Sequence, residues 1–244
     1  MGQTTRRLVN FLYLVKHSRF REIANKIKFR FWSNTYSFGL RRDLEARFIP
    51  PNAAIPIIIR PLTTEDLPKI FDLKRPGLSK NEIQELVSRL EHLHADIPTC
   101  YVATTGAGVP TYMQWLMGSA ENAKIQDHFN GTFPLLEEDE ALLENALTLP
   151  DFRGKGIMAA AMARIAERGR EIGARYVITF VEQHNVPSLK GCARAGFTPY
   201  VIRHERWMFF TRKLTFSPLP EGASYPFDAD NFAPEVTPHV LTTR

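Results

Sequence analysis

Apolar positions along this 244-residue chain change period several times, and each change predicts an element. Leu8, Phe11, Leu12, Val15, Phe20, Ile23, Ile27 and Phe31 recur at mostly three- and four-residue spacing among basic residues. That pattern predicts one or two amphipathic helices over residues 4–32. Pro50, Pro51 and Pro56 then punctuate a linker. Ile57 to Arg60 is a short β-branched strand, and Thr63 to Asp66 is a helix-start signal ahead of Leu67 and Ile70. Over residues 80–94, Ile83, Leu86, Val87, Leu90 and Leu93 share one helical face. Cys100 to Thr104 and Tyr112 to Met117 read as strands about the turn Gly106-Ala107-Gly108. Residues 118–136 are polar with Gly and Asn and predict a long loop. Ala141 to Leu149 follows as a strand, Ile157 to Ile172 as a strong helix, Tyr176 to Val181 as a strand and Pro187 to Ala195 as a short helix. Phe197 to Phe216 holds one or two strands. From Ser217 onward, five prolines in 28 residues predict an extended, irregular tail. No internal repeat is visible.

This succession predicts a mixed α/β chain of the α+β kind with one mixed sheet, not the regular alternation of a doubly wound chain. Three segments follow: a basic, aromatic helical arm (residues 1–50), one domain (51–216) and a Pro-rich tail (217–244). With 44% hydrophobic residues, 17 Phe, 7 Tyr and 3 Trp, a packed core is feasible and wholesale disorder is excluded. Two cysteines cannot build a disulfide scaffold, and no CxxC or Cys/His cluster suggests a metal site. His17, His92, His94, His128, His204 and His239 show no ligand spacing.

The net charge of +5 is unevenly placed. Residues 1–50 hold 11 Lys/Arg against Glu22, Asp43 and Glu45, a net +8, which leaves −3 for the rest. Basicity therefore belongs to the arm, and the body gives no reason to expect nucleic acid. Arg6-Arg7 before Leu8 to Val15 has the outline of a signal peptide. The apolar run is short, is broken by Asn10 and lacks a small-residue cleavage site, so a cytoplasmic location is expected. The arm could lie on a membrane surface or pack on its own domain or a second subunit. The many large apolar side chains favour packing, which would bury Phe11, Phe20, Phe31 and Trp32.

The sharpest local feature is Leu149-Pro150-Asp151-Phe152-Arg153-Gly154-Lys155-Gly156-Ile157-Met158. Two glycines flanked by Arg153 and Lys155 stand between a predicted strand and a long helix. Glycine lets backbone approach a ligand closely, and a helix start offers unpaired N–H groups at a positive dipole end. Such a turn can hold a phosphate or pyrophosphate. It is not a Walker loop and lacks the third glycine of a dinucleotide fingerprint. The competing reading is a tight turn with two exposed bases. Asn185-Val186-Pro187-Ser188-Leu189-Lys190-Gly191-Cys192-Ala193-Arg194-Ala195-Gly196-Phe197 begins 31 residues after Gly154, directly after a predicted strand.

Together these segments resemble the GNAT superfamily of N-acetyltransferases, whose members carry an R/Q-x-x-G-x-G/A loop and a later N-x-x-[SA]-x-x-x-[YF]-x-x-x-G-F segment. The resemblance spans about residues 56–212. It implies a GNAT-like acyl-CoA N-acyltransferase fold and acetyl-CoA as co-substrate. By that resemblance, Arg153, Gly154, Lys155, Gly156, Ile157, Met158 and Ala159 would hold the pyrophosphate. Ala146, Leu147 and Thr148 would bind the pantetheine arm through their main chain, with Asn185 and Ser188 beside it. Two departures stand out. In one register Met158 takes the usual second Gly/Ala place, while in the other Asp151 takes the Gln/Arg place. Cys192 stands where many members have the tyrosine that reprotonates the leaving thiolate.

The reaction so implied is direct attack of a primary amine on the thioester. It needs a neutral amine, a stabilised oxyanion and a proton for the thiolate. Glu144 is the leading base candidate, because a carboxylate inside an otherwise apolar strand needs a reason; the alternative is an outward-facing or edge position. Glu182 and His184 are weaker candidates, and Glu137 to Glu140 read as a solvated turn. Amino-terminal acetyltransferases of the superfamily have a glutamate five residues before the Asn, where this chain has Phe180. Cys192 is a candidate acid, against the blander reading of a small apolar filler. A small-molecule or peptide amine is the expected acceptor, shaped by loop 118–136, and no nucleic acid partner is expected. A homodimer and a peripheral membrane contact through residues 1–50 stay open. The alternative function is a non-catalytic acyl-CoA-binding or scaffold protein with a docking arm.

Overall fold

A computed structural model of the chain describes residues 20–94, 97 and 99–219. After helix α1 (Phe20–Phe31), the strands are β1 (Trp32–Asp43), β2 (Ile58–Pro61), β3 (Cys100–Thr104), β4 (Pro110–Gly118), β5 (Glu140–Thr148), β6 (Tyr176–Glu182), β7 (Thr198–Met208) and β8 (Thr211–Pro218). They form one mixed sheet in the order β2-β3-β4-β5-β6-β1-β7-β8. The helices are α2 (Leu67–Ile70), α3 (Lys80–His94), α4 (Asn122–His128), α5 (Ile157–Glu167) and α6 (Val186–Arg194). Alternation along β6 shows how the sheet serves two cores. Val177 and Val181 face Ala160, Ile165 and Leu189 of α5 and α6, whereas Ile178 and Phe180 join Ile70, Leu86 and Ile125 of α2, α3 and α4.

The segment read from sequence as arm and linker supplies β1, which lies between β6 and β7. Phe38, Leu40 and Arg42 share its α5 face, where Leu40 and Arg42 are buried. Arg42 looks like one more surface cation in the sequence. Its Nη1 donates to the Ala163 carbonyl at 2.9 Å and its Nη2 pairs with Glu167, so it ties the strand to α5. Gly39 is the only residue the crossing tolerates: a Cβ there would stand 2.4 Å from Val201 Cγ1 and 2.8 Å from the Phe180 ring.

Elsewhere the sequence reading and the structure differ in detail. Residues 118–136 contain a 3₁₀ turn (Ser119–Glu121) and α4, whose single buried residue, Ile125, is too little to show a period. The helix from Ile157 changes to a 3₁₀ turn at Arg168 and ends at Gly173, which has φ +81°. Phe197 to Phe216 resolves into two paired strands, and β8 draws Ser217 and Pro218 of the tail into the sheet. Residues 1–19 of the arm and 220–244 of the tail lie outside the described residues. Among the described residues, no helix is long and apolar enough to cross a membrane.

One gap in the sheet positions everything that follows. β5 and β6 run parallel, yet pair only from Glu140–Leu142 to Tyr176–Ile178. Beyond Leu142 the edge of β5 facing β6 has no strand partner.

Candidate active site

The cleft begins at a β-bulge. Met113 pairs with Leu147 and Trp115 with Glu144, so Asn145 and Ala146 together oppose Gln114. Asn145 takes φ +58°, a left-handed conformation that asparagine tolerates better than most residues. Arg89 of α3 braces the bulge, donating from Nη2 to the Ala146 carbonyl at 2.8 Å and from Nε to the Asn145 carbonyl at 3.4 Å. Burial lowers the Arg89 pKa, partly offset by Glu85 and Glu144.

A cavity of about 580 Å³ opens beside the bulge. Its walls bring together Ala146, Leu147, Thr148, Arg153, Gly154, Gly156, Ile157, Met158, Ala159, Asn185 and Ser188, all singled out from sequence. Gly154 and Gly156 have φ +75° and +70°, and Gly156 is the N-cap of α5. No side chain caps that helix, so its first N–H groups remain available at the cleft. Asn185 is the N-cap of α6, its Oδ1 accepting from the Ser188 N–H at 3.3 Å. That bond leaves the side-chain amide group as a donor.

Two loop residues behave differently from the expectation. Lys155 is not in the cavity wall; its Nζ donates to the Asp151 carbonyl at 2.9 Å and lies over the Phe152 ring. Arg153 lines the wall but pairs with Glu82 of α3 at 2.7 Å. Met158, the departure at the second small-residue place, is accommodated by Gly191, where a Cβ would stand 2.8 Å from its sulfur. Glu85, Arg89, Phe152, Pro187, Lys190, Gly191 and Arg194 complete the wall. Four cations (Arg89, Arg153, Lys190 and Arg194) against one carboxylate, Glu85, give it a field suited to a polyphosphate. Of these, sequence reasoning named only Arg153 and missed Arg89, Lys190 and Arg194, although Glu82, Glu85 and Arg89 fall at helical spacing along α3 and could have been read as one polar stripe.

Glu144 lies just before the bulge. Burial pushes its carboxyl up to about 7, against hydrogen bonding from the Asn145 and Phe180 backbone N–H groups and the charges of Arg203 and Arg89. The Phe180 contact puts the carboxylate at the β5–β6 gap. Arg203 of β7 lies over the Phe180 and Phe133 rings and donates to Ser37 Oγ at 3.0 Å. At neutral pH Glu144 is thus poised between its two forms, the condition for a base in proton transfer.

Cys192 is elsewhere. It is 1% exposed, its Sγ lies 3.7 Å from Met162 Sδ, and burial pushes its thiol up to about 12. It is not part of the cavity wall. Glu182, the last residue of β6, and His184, on the loop after it, are both exposed.

Comparison with known proteins adds a family. The model of the acetyltransferase (GNAT) family matches residues 68–197. No curated protein matches the sequence. Among solved structures, a GCN5-related glucosamine N-acetyltransferase region of a fungal multi-domain GH3 β-N-acetylglucosaminidase is similar at 15% identity, with TM-score 0.54 over 81% of this chain and 23% of that one. A GNAT-family acetyltransferase from Colwellia psychrerythraea is similar at 16% identity, with TM-score 0.47 over 72% of this chain and 57% of that one. AAC(6′)-Iy in complex with the bisubstrate analogue CoA-S-monomethyl-acetylneamine is similar at 23% identity, with TM-score 0.39 over 59% of this chain and 91% of that one. The chain spans less than two thirds of the first two, and likeness at these identities concerns the fold.

Proposed function

The chain belongs to the acetyltransferase (GNAT) family, and from that premise we propose that it is an acyl-CoA-dependent N-acetyltransferase acting on a primary amine. One observation carries the reading: the uncapped start of α5, its two left-handed glycines and the unpaired edge of β5 converge on one cationic cavity. The pyrophosphate of acetyl-CoA would sit on the N–H groups that follow Gly154, where no side chain competes. The pantetheine arm would run along Ala146 to Thr148 and take the Asn185 amide, with the thioester at the bulge.

The amine would approach Glu144 through the β5–β6 gap. Glu144 takes a proton from the ammonium, and the freed nitrogen attacks the thioester carbon. Formation of the C–N bond gives a tetrahedral oxyanion, whose collapse breaks the C–S bond, and the second proton of the nitrogen passes through solvent to the leaving sulfur. In this reading Cys192 packs against Met162, keeps its proton and does not pass it to the leaving sulfur, because a covered thiol held near 12 is a poor donor. Backbone N–H groups at the bulge are the candidates for meeting the oxyanion.

A thiol-release assay with acetyl-CoA and a panel of amino sugars, amino acids, polyamines and peptide amines tests the proposal. Release of CoA that depends on one amine class supports it. Tight CoA binding with no release for any amine would favour a non-catalytic acyl-CoA-binding protein.

A further inference from the structure

Beyond Ser37, β1 has no partner in β6, and the outer parts of β1, β7 and β8 run on as a three-stranded ribbon. Register sorts its side chains. Trp32, Asn34 and Tyr36 share a face with Met208, Arg206 and His204, and with Thr211, Lys213 and Thr215. This face carries aromatic and basic groups and no carboxylate; Glu205 sits on the opposite face, paired with Arg212. Trp32 is 58% exposed. Packing of the arm on its own domain therefore does not bury Phe31 and Trp32: both stand open to solvent in the single chain, while Phe11 and the Phe20 side chain are outside what is described.

The turn closing the ribbon adds to this surface. Phe209 and Phe210 are 63% and 56% exposed and both have positive φ, +48° and +64°, an unfavourable conformation for aromatic residues. Their N–H groups donate to the Phe31 and Arg30 carbonyls at 2.8 and 3.0 Å, so the end of α1 holds the turn in place. Phe31 meets both rings edge-on. Arg206 lies over Trp32 on this face, which keeps that cation among the rings, while Arg30 lies over Trp207 on the opposite one. A strained turn is therefore fixed so that two large rings point into water.

We propose that this ribbon end is a peripheral membrane-docking surface, with Trp32, Phe209 and Phe210 entering the headgroup boundary and Arg206 and Lys213 meeting anionic lipid. Charge complementarity selects this occupant. A second copy seated on the same face would set Arg206 and Lys213 against their own counterparts, with no acid there to pair them. An anionic leaflet supplies the missing charge, and aromatic rings are favoured at that depth. Nothing in this proposal depends on the acetyltransferase reading.

The test uses the full chain and vesicles of phosphatidylcholine with or without about a third phosphatidylserine. Co-sedimentation is expected with the anionic vesicles only, and to weaken as salt rises. The double variants Phe209→Ser with Phe210→Ser, and Arg206→Glu with Lys213→Glu, should each lower binding by about tenfold or more, with unchanged circular dichroism. Because residues 1–19 are also basic, a local readout is added: dibrominated lipid should quench tryptophan fluorescence in the parent, and Trp32→Phe should bind equally while losing that quenching. Binding that both double variants retain, quenching that survives Trp32→Phe, or a concentration-dependent dimer abolished by the same changes would each overturn the proposal.

Discussion

The sheet handles its backbone in two opposite ways. From Trp32 to Arg41 the β1–β7 ladder continues, interrupted only by an irregularity at Gly39/Leu40, whereas the β5–β6 ladder stops at Leu142. Where pairing continues, main-chain groups are consumed, and whatever recognition the region offers must come from side chains such as Trp32 and Arg206. Where pairing stops, the main chain itself becomes the binding surface, and the flanking α5 start and β5 bulge are left uncapped or irregular. The lesson is that the site was made by withholding hydrogen bonds, and the rest of the sheet had to be closed well enough to hold that gap open.

The largest effect should come from distorting the start of α5. Gly156→Val forces a β-branched residue into φ +70°, a conformation it resists, so the turn must move. CoA affinity measured by calorimetry should fall by about a hundredfold.

Next comes Glu144→Gln. The rate of acetyl transfer should drop by about a hundredfold or more, and the parent's kcat/KM should rise with pH through about 7 while the variant's does not. Stability should move in the opposite sense. A carboxyl raised from 4.5 to about 7 in the folded state leaves stability intact below 4.5 and lowers it as pH rises from there through about 7. The variant should therefore match the parent in Tm at about pH 4 and exceed it at about pH 8, as read by differential scanning calorimetry.

On the closed side, Arg42→Met takes the strand's partner from the Ala163 carbonyl and from Glu167, which keeps only Arg170. Since Glu167 is partly exposed, the loss should be about 2 kcal/mol, near 5 °C in Tm, with CoA affinity unchanged. The smallest effect is expected at Cys192. Cys192→Ala should leave turnover within about threefold and cost only packing; a loss resembling that of Glu144→Gln would return the thiol to a proton-donor role.

Much of the cleft was legible because its chemistry is local. Gly154, Gly156 and Asn185 are special where they stand, and strand–turn–helix context is short-range. Helix α3 and strand β3 were legible to their ends because Leu86, Leu90 and Leu93 repeat at helical spacing and β3 is a compact apolar run. β1 was not, because its burial is decided by partners far away in sequence, from Tyr176 opposite Asp43 to Met208 opposite Trp32. Alternation of Phe38, Leu40 and Arg42 includes a charge whose partner, Glu167, no local pattern could announce. Arg89 escaped for the same reason: its acceptors are the bulge carbonyls of Asn145 and Ala146, which exist only once β4 and β5 have paired out of step. The exposed rings of the ribbon end were misread because bulk apolar residues normally seek cover.

The most direct test of the central claim is a calorimetric titration of the full chain with acetyl-CoA at pH 7.5, in parallel with the Gly156→Val chain. Saturable 1:1 binding in the micromolar range by the parent, lost in the variant, is the predicted result. No heat of binding from the parent up to about 1 mM acetyl-CoA, or equal binding by the two chains, would contradict it.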